Sequence, residues 1–96
     1  MRRQKTTAQL KKDLDKVFNR FIRERDSNGD GTFTCISCSQ RLPVRLMNAG
    51  HFIPKSVSLI LRWNEYNVNG QCVRCNLAEQ GNQLEYSRGL ERKYGK

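Results

Sequence analysis

Two Cys-x-x-Cys pairs, Cys35-Ile36-Ser37-Cys38 and Cys72-Val73-Arg74-Cys75, constrain this chain more than any other feature. Each pair offers two thiolates from one tight turn, and two such pairs are the usual way for a small domain to bind one structural Zn²⁺. Four cysteines also permit three disulfide pairings, but the spacing favours a metal and no apolar stretch resembles a secretory signal. The expectation is a reduced, cytoplasmic protein whose zinc belongs to its core. With 96 residues, 36% of them apolar, one domain buries only about two thirds of its unfolded surface. Closing two distant segments on one ion adds stability that so modest a core lacks.

Eighteen Lys and Arg against nine Asp and Glu leave a net charge of +9. A surplus of that size on a small body predicts an anionic partner, nucleic acid first. No long apolar span or Trp-rich amphipathic helix points to a membrane. A basic pI also serves solubility, so charge alone does not decide.

Residues 1–5 form a short basic arm. Thr6-Thr7-Ala8-Gln9 reads as a capping box, opening a helix over 6–26. Leu10, Leu14, Val17, Phe18, Phe21 and Ile22 recur at helical spacing. Such a stripe is more often core than partner interface. The opposite face carries Lys11, Lys12, Lys16, Arg20 and Arg23 mixed with acids, and reads either as a solvated face or as a phosphate-contacting one. Asp26-Ser27-Asn28-Gly29-Asp30-Gly31 resembles the start of a calcium loop, yet position 12 is Ser37, inside the first knuckle, so a turn is expected instead.

A zinc core is expected over 32–80. A strand from Thr32 to Ile36 leads into the first knuckle, and Leu46 to Ile53 forms the first strand of a hairpin, with Gly50 allowing close backbone approach beside His51. Lys55 to Asn64 reads as a helical turn or a covering loop, with Trp63 as a packing anchor. Tyr66 to Val73 is the second strand, and Asn76 to Gln80 starts a helix. Asn82-Gln83-Leu84-Glu85 reads as a second capping box, placing a last helix over 82–95. Leu84, Ser87, Leu90 and Tyr94 give it a narrow inner face, and Gly89 weakens it by about 1 kcal/mol relative to alanine.

His51 is the only histidine, between the two knuckles. Phosphodiester hydrolysis at neutral pH needs a base to activate water and a cation to stabilise developing charge, and an imidazole titrates in the right range for the first task. Asn76, directly after Cys75, and Glu79 at i+3 are candidate ligands for a hard ion, Mg²⁺ or Mn²⁺. Arg41, Arg45, Lys55, Arg62 and Arg74 surround the site in sequence and are candidate DNA contacts; nothing suggests base-specific readout.

The order helix, knuckle, hairpin with histidine, knuckle, helix resembles a ββα-metal, or HNH, nuclease combined with a treble-clef zinc site. Cys-x-x-Cys-Asn after such a hairpin is similar to phage endonuclease VII and the zinc-bearing HNH enzymes. A closer resemblance is carried by Phe21 to Asp26, Cys35-Ile36-Ser37-Cys38, Ala49-Gly50-His51, Leu61 to Val68, Gln71 to Asn76 and Gly81-Asn82. These look like the core of the phage NinG (Rap) recombination proteins, over about Val17 to Tyr94, without the long flanking regions of the lambdoid members. The resemblance implies an α+β fold, a phage protein working in the bacterial cytoplasm, and action on branched DNA such as Holliday junctions and D-loops. It implies His51 as the base and Asn67, five residues before Cys72, as the residue that orients the hairpin. Many HNH sites have an acid immediately before the histidine, where this chain and the NinG proteins have Gly50. The second ligand then falls to Glu79 first, Asn48 next and Glu65 third.

The function expected is a structure-selective DNA endonuclease. Symmetric junction cutting needs two active sites, so a homodimer follows, with the apolar stripe of the first helix as an interface. A non-catalytic zinc module that binds branched DNA or a recombination partner is the first rival. An RNA-binding zinc-ribbon-like protein is the second, and gives His51 and Asn76 no role. For single residues the plain alternatives are a surplus zinc ligand or a buried hydrogen-bonding group for His51, turn residues for Asn67 and Asn69, a helix cap for Asn82 and a surface carboxylate for Glu79.

Overall fold

Thr6 caps the first helix as the sequence predicts. In the computed structural model, which describes residues 4–78 and 82–95, the Gln9 amide donates to the Thr6 hydroxyl and the Thr6 amide to Gln9 Oε1. Helix α1 then runs Thr7–Asp26. A turn with Gly29 and Gly31 at φ +87° and +83°, conformations that favour glycine, leads to β1 (Thr32–Thr34).

The first knuckle separates β1 from β2 (Arg41–Pro43), and the two strands pair antiparallel. A 3₁₀ turn, Val44–Leu46, opens into β3 (Met47–His51). After a loop and the single turn of α2 (Leu59–Arg62), β4 (Val68–Cys72) returns antiparallel to β3, with His51 opposite Val68 and Met47 opposite Cys72. A π-helical turn, Arg74–Ala78, follows the hairpin, and α3 (Gln83–Tyr94) ends the described chain. The domain is α+β with two small separate sheets.

Several expectations change. β1 ends at Thr34 rather than Ile36, β3 and β4 are shorter than expected at both ends, and β2 is a strand not expected from the sequence. A π-helical turn beginning at Arg74 stands where a helix was expected from Asn76 to Gln80, the last two of those residues lying outside the described ones. The second capping box does not form. Asn82 sits in the left-handed region at φ 46° without capping through its side chain, and its amide instead donates to Cys75 Sγ at 3.5 Å. The calcium reading is excluded by pairing: Asp26 turns inward to Arg25, Lys93 and the Gly70 amide. Asp30 is held by Thr32 and Arg41.

The apolar stripe of α1 is also corrected. Leu10, Leu14, Val17 and Phe21 are 55%, 44%, 68% and 45% exposed, and only Ile22 is buried. The helix meets the body through Asp15, Phe18, Ile22 and Asp26, a face roughly a third of a turn away from the stripe. What fixes that face is polar. Arg62 donates to both Asp15 oxygens at 3.1 and 2.6 Å, and Trp63 Nε1 donates to Asp15 Oδ1 at 3.0 Å. Trp63 is therefore an anchor through its N–H, with the Arg62 guanidinium 5.3 Å from its ring centre.

The buried centre is built from Phe33, Cys35, Met47, Cys72 and Cys75, with Cys38, Leu42 and Val44 packed on it. Three of the four candidate zinc ligands are thus core residues, in line with a metal that belongs to the core. Strand β4 is buried along its whole length. Helix α3 approaches so closely that a Cβ at Gly89 would collide with the Ile36 carbonyl.

Candidate metal centre and histidine site

All four cysteine sulfurs lie within 4.8 Å of one another. A tetrahedral Zn²⁺ with Zn–S bonds of about 2.3 Å sets its sulfurs about 3.8 Å apart, and Cys38 Sγ lies 3.8 Å from Cys72 Sγ. Backbone amides support the donors: Cys38 and Cys72 donate to Cys35 Sγ at 3.5 and 3.3 Å, and Cys75 donates to Cys72 Sγ at 3.5 Å. N–H groups aimed at sulfur favour thiolate. Burial opposes ionisation at Cys35, yet these donors hold its thiol below the ordinary range. At Cys72 burial dominates and pushes the thiol up to about 12. A divalent cation offsets that penalty by displacing the protons. The cluster fits a structural metal, and zinc suits four thiolates best.

His51 lies at the other end of β3 from Met47, which faces Cys72. Its Nε2 is 2.7 Å from the Arg62 carbonyl oxygen. A carbonyl only accepts, so Nε2 carries the proton and Nδ1 keeps its lone pair in the neutral ring. Burial holds His51 below the ordinary imidazole range, opposed by that carbonyl and aided by the Lys55 charge. Burial thus favours the neutral ring, which is the state a base needs.

Asn67 holds the loop that supplies the carbonyl. It is 6% exposed; its Oδ1 accepts from the Ile53 amide at 2.8 Å and its Nδ2 donates to the Ile53 and Leu61 carbonyls at 3.1 and 2.9 Å. Both ends of the loop, and the residue next to Arg62, are thereby fixed on one amide group. Asp15 holds Arg62 from outside. Ser58 caps α2, its hydroxyl accepting from Leu61 N at 3.2 Å.

Gly50 has a steric reason. Any Cβ there would overlap Gln71 Oε1, and the Gly50 carbonyl accepts from the Tyr86 hydroxyl at 2.5 Å. A carboxylate at this position would require the Gln71 side chain to shift. Asn48 pairs with Gln71 and shares the face of Gly50, since alternate strand residues face opposite ways. It is therefore on the opposite face from His51. Asn76 is half-buried on the π-helical turn, and its side chain makes no hydrogen bond among the described residues. Glu79 lies outside the described residues. Glu65 is exposed, its carbonyl accepting from Arg25 Nη1 at 2.7 Å.

The basic residues separate into groups. Arg62 is engaged by Asp15, and Arg41 by Asp30 and Thr32. Lys55 is exposed and acts electrostatically on His51. Arg45 is exposed on the 3₁₀ turn, and Arg74 lies beside the Cys75 sulfur, which raises its pKa.

Asp15, Gln83 and Tyr86 are the site residues that sequence reasoning missed. Gln83 Nε2 donates to the Phe52 carbonyl at 2.9 Å, beside His51, and the Tyr86 ring packs on Phe52 at 5.2 Å. Leu84, expected on the inner face of α3, is 63% exposed; the inner face runs through Tyr86 and Gly89.

A family model described as bacteriophage lambda NinG protein matches residues 1–96. Protein ninG of Escherichia phage lambda is 39% identical over 75 residues, 78% of this chain and 34% of that protein. Protein ninG of Escherichia phage 933W and that of Salmonella phage P22 are each 37% identical over 75 residues, covering 78% of this chain and 35% and 34% of those proteins. The chain spans about a third of the length of these curated relatives. No solved structure matches it. No helix among the described residues is long and apolar enough to cross a membrane.

Proposed function

The chain belongs to the bacteriophage lambda NinG protein family, and from that premise we propose that it is a metal-dependent DNA endonuclease of the HNH, or ββα-metal, type. Its substrates in this reading are branched recombination intermediates, a Holliday junction or a D-loop, met in the cytoplasm of the bacterial host.

The observation that carries the reading is the state of His51. Its Nε2–H is committed to the Arg62 carbonyl, burial favours its neutral form, and Nδ1 remains to take a proton from an attacking water. Asn67 acts as a positioning residue through the loop it clamps. Asn76 and Glu79 are the proposed ligands of Mg²⁺ or Mn²⁺, which would stabilise charge on the phosphate. Their support is chain position: they follow Cys75 and precede Gln83, which is bonded beside His51. Lys55 is the proposed phosphate contact nearest the base, with Arg45 and Arg74 toward the metal end. Arg41 and Arg62 are weaker candidates, because acidic partners already hold them.

One observation favours a second reading. Among the described residues, the one group of three or more His, Cys, Asp or Glu side chains able to hold a metal is the cysteine cluster. A non-catalytic zinc module on branched DNA needs nothing more.

Cleavage separates the two. A labelled four-way junction and a matched duplex are incubated with Mg²⁺ or Mn²⁺ and either wild type or His51→Ala at equal zinc content. Junction cutting by wild type and at least about a hundredfold loss in the mutant, the usual size of a missing general base, is expected. Binding without cutting by wild type under both ions establishes the module instead.

A further inference from the structure

The exposed stripe of α1 has a defined spacing. Leu10, Leu14, Val17 and Phe21 are separated by four, three and four residues, the repeat that builds a two-helix seam. They lie along about 17 Å of helix, from a rise of about 1.5 Å per residue. The residues flanking them then take definite places. Asp13 and Arg20 border one side of the seam, and Lys11 and Phe18 border the other.

We propose that two copies of this chain associate through α1 packed antiparallel on α1. In that register Leu10 meets the partner's Phe21, Leu14 meets the partner's Val17, and the two-fold axis repeats both layers. Antiparallel helices bring like flanks together. Asp13 therefore faces the partner's Arg20, twice, and the Lys11 ammonium faces the partner's Phe18 ring, a favourable cation–π placement. A parallel pair would set Asp13 against the partner's Phe18, a carboxylate on an aromatic ring, so the charges choose the antiparallel arrangement. Within one copy Asp13 pairs with Lys5, and Arg20 donates to Glu24 at 3.2 Å. Both pairs are exposed, and exchanging such pairs across an interface costs little. The face that α1 uses against its own domain is centred on Asp15, Ile22 and Asp26, and the half-buried Phe18 lies where that face borders the seam. A seam this short is at the low end of stable interfaces, which implies a dimer formed in the micromolar range. The association is independent of the chemistry at His51.

The test is sedimentation equilibrium of the zinc-loaded chain from about 1 μM to about 500 μM, a range chosen to bracket micromolar affinity. The mass is expected to rise from 11.2 kDa toward twice that value. Leu14→Asp and, separately, Val17→Lys should hold it at the monomer mass with unchanged helicity and zinc content, because both positions are exposed in the monomer. Asp13→Arg alone and Arg20→Asp alone should each weaken association by about tenfold, as two charge pairs become two repulsions. The double variant should recover wild-type association to within about threefold. A monomer throughout the range overturns the proposal, as does a dimer indifferent to Leu14→Asp. Failure of the double variant to recover overturns the antiparallel register.

Discussion

His51 is the only histidine in the chain, so its ring protons can be followed by NMR without overlap. Because burial lowers its pKa, its titration midpoint should fall below the ordinary value of about 6.5. Lys55→Gln removes a positive neighbour and should raise that midpoint. The linkage to stability has a definite sign. The unfolded chain binds the proton more readily, so the neutral ring contributes fully above about pH 6.5, and the contribution is lost as pH falls through the lowered folded pKa. A midpoint above 6.5 in the folded protein would contradict the burial argument. The knuckles were legible in the sequence through their spacing, whereas His51 stood out as the only histidine and Asn67 only through the resemblance to the NinG proteins. Asp15 was not, because its partners Arg62 and Trp63 lie 47 and 48 residues away and nothing local marks an acid on a helix as a clamp.

At the scale of elements, α1, α3 and β4 meet at Asp26. Its carboxylate binds Arg25 at 2.7 Å, Lys93 at 3.0 Å and the Gly70 amide at 2.7 Å, with only 8% of the side chain exposed. Burial opposes its ionisation, but these three partners prevail and hold it below the usual carboxylate range. Asp26→Asn leaves two cations short of a partner and should cost about 3 kcal/mol in denaturant unfolding above pH 5, the usual scale for breaking a buried pair. The wild-type advantage should shrink as pH falls below about 4, through the lowered pKa. Gly89 sets a second test, in which two effects have opposite signs. Alanine improves helix propensity by about 1 kcal/mol, yet its Cβ would strike the Ile36 carbonyl, and overpacking of that kind costs about 1–3 kcal/mol and more against backbone. Gly89→Ala should therefore destabilise the zinc-loaded protein by at least about 1 kcal/mol; a gain in stability would show that α3 can move off the knuckle. Periodicity located α1, and a capping-box pattern that does not form located α3, but the inner face of neither followed from spacing. On α1 ion pairs outweigh the apolar stripe, and on α3 a glycine contact displaces Leu84.

For the whole molecule, the cysteine cluster and the histidine occupy opposite ends of one hairpin, and the core is largely made of the candidate metal ligands. Chelation should then abolish more than the knuckles. Stripping zinc at neutral pH is expected to remove the cooperative thermal transition and return the His51 midpoint to about 6.5, the value of an unstructured chain. Retention of a folded hairpin after chelation would show that the apolar contacts suffice alone. The sequence argued for this dependence through chain length and two cysteine pairs. It was silent on how the far end is tied back, because that tie runs through Gln83 and Tyr86 to the backbone of Phe52 and Gly50, where side chains recognise carbonyls that every residue possesses.

Strand β4 has no exposed residue, whereas Arg41 and Pro43 at the ends of β2 lie open to water. Placed in heavy water, the molecule should therefore keep two clocks. The β2 amides should exchange by local opening, and those of Val68 to Cys72 only when the entire fold lets go. The slowest amides would then report the free energy of the metal-bound state directly, and the interval between the clocks would measure how far the first sheet opens without the second.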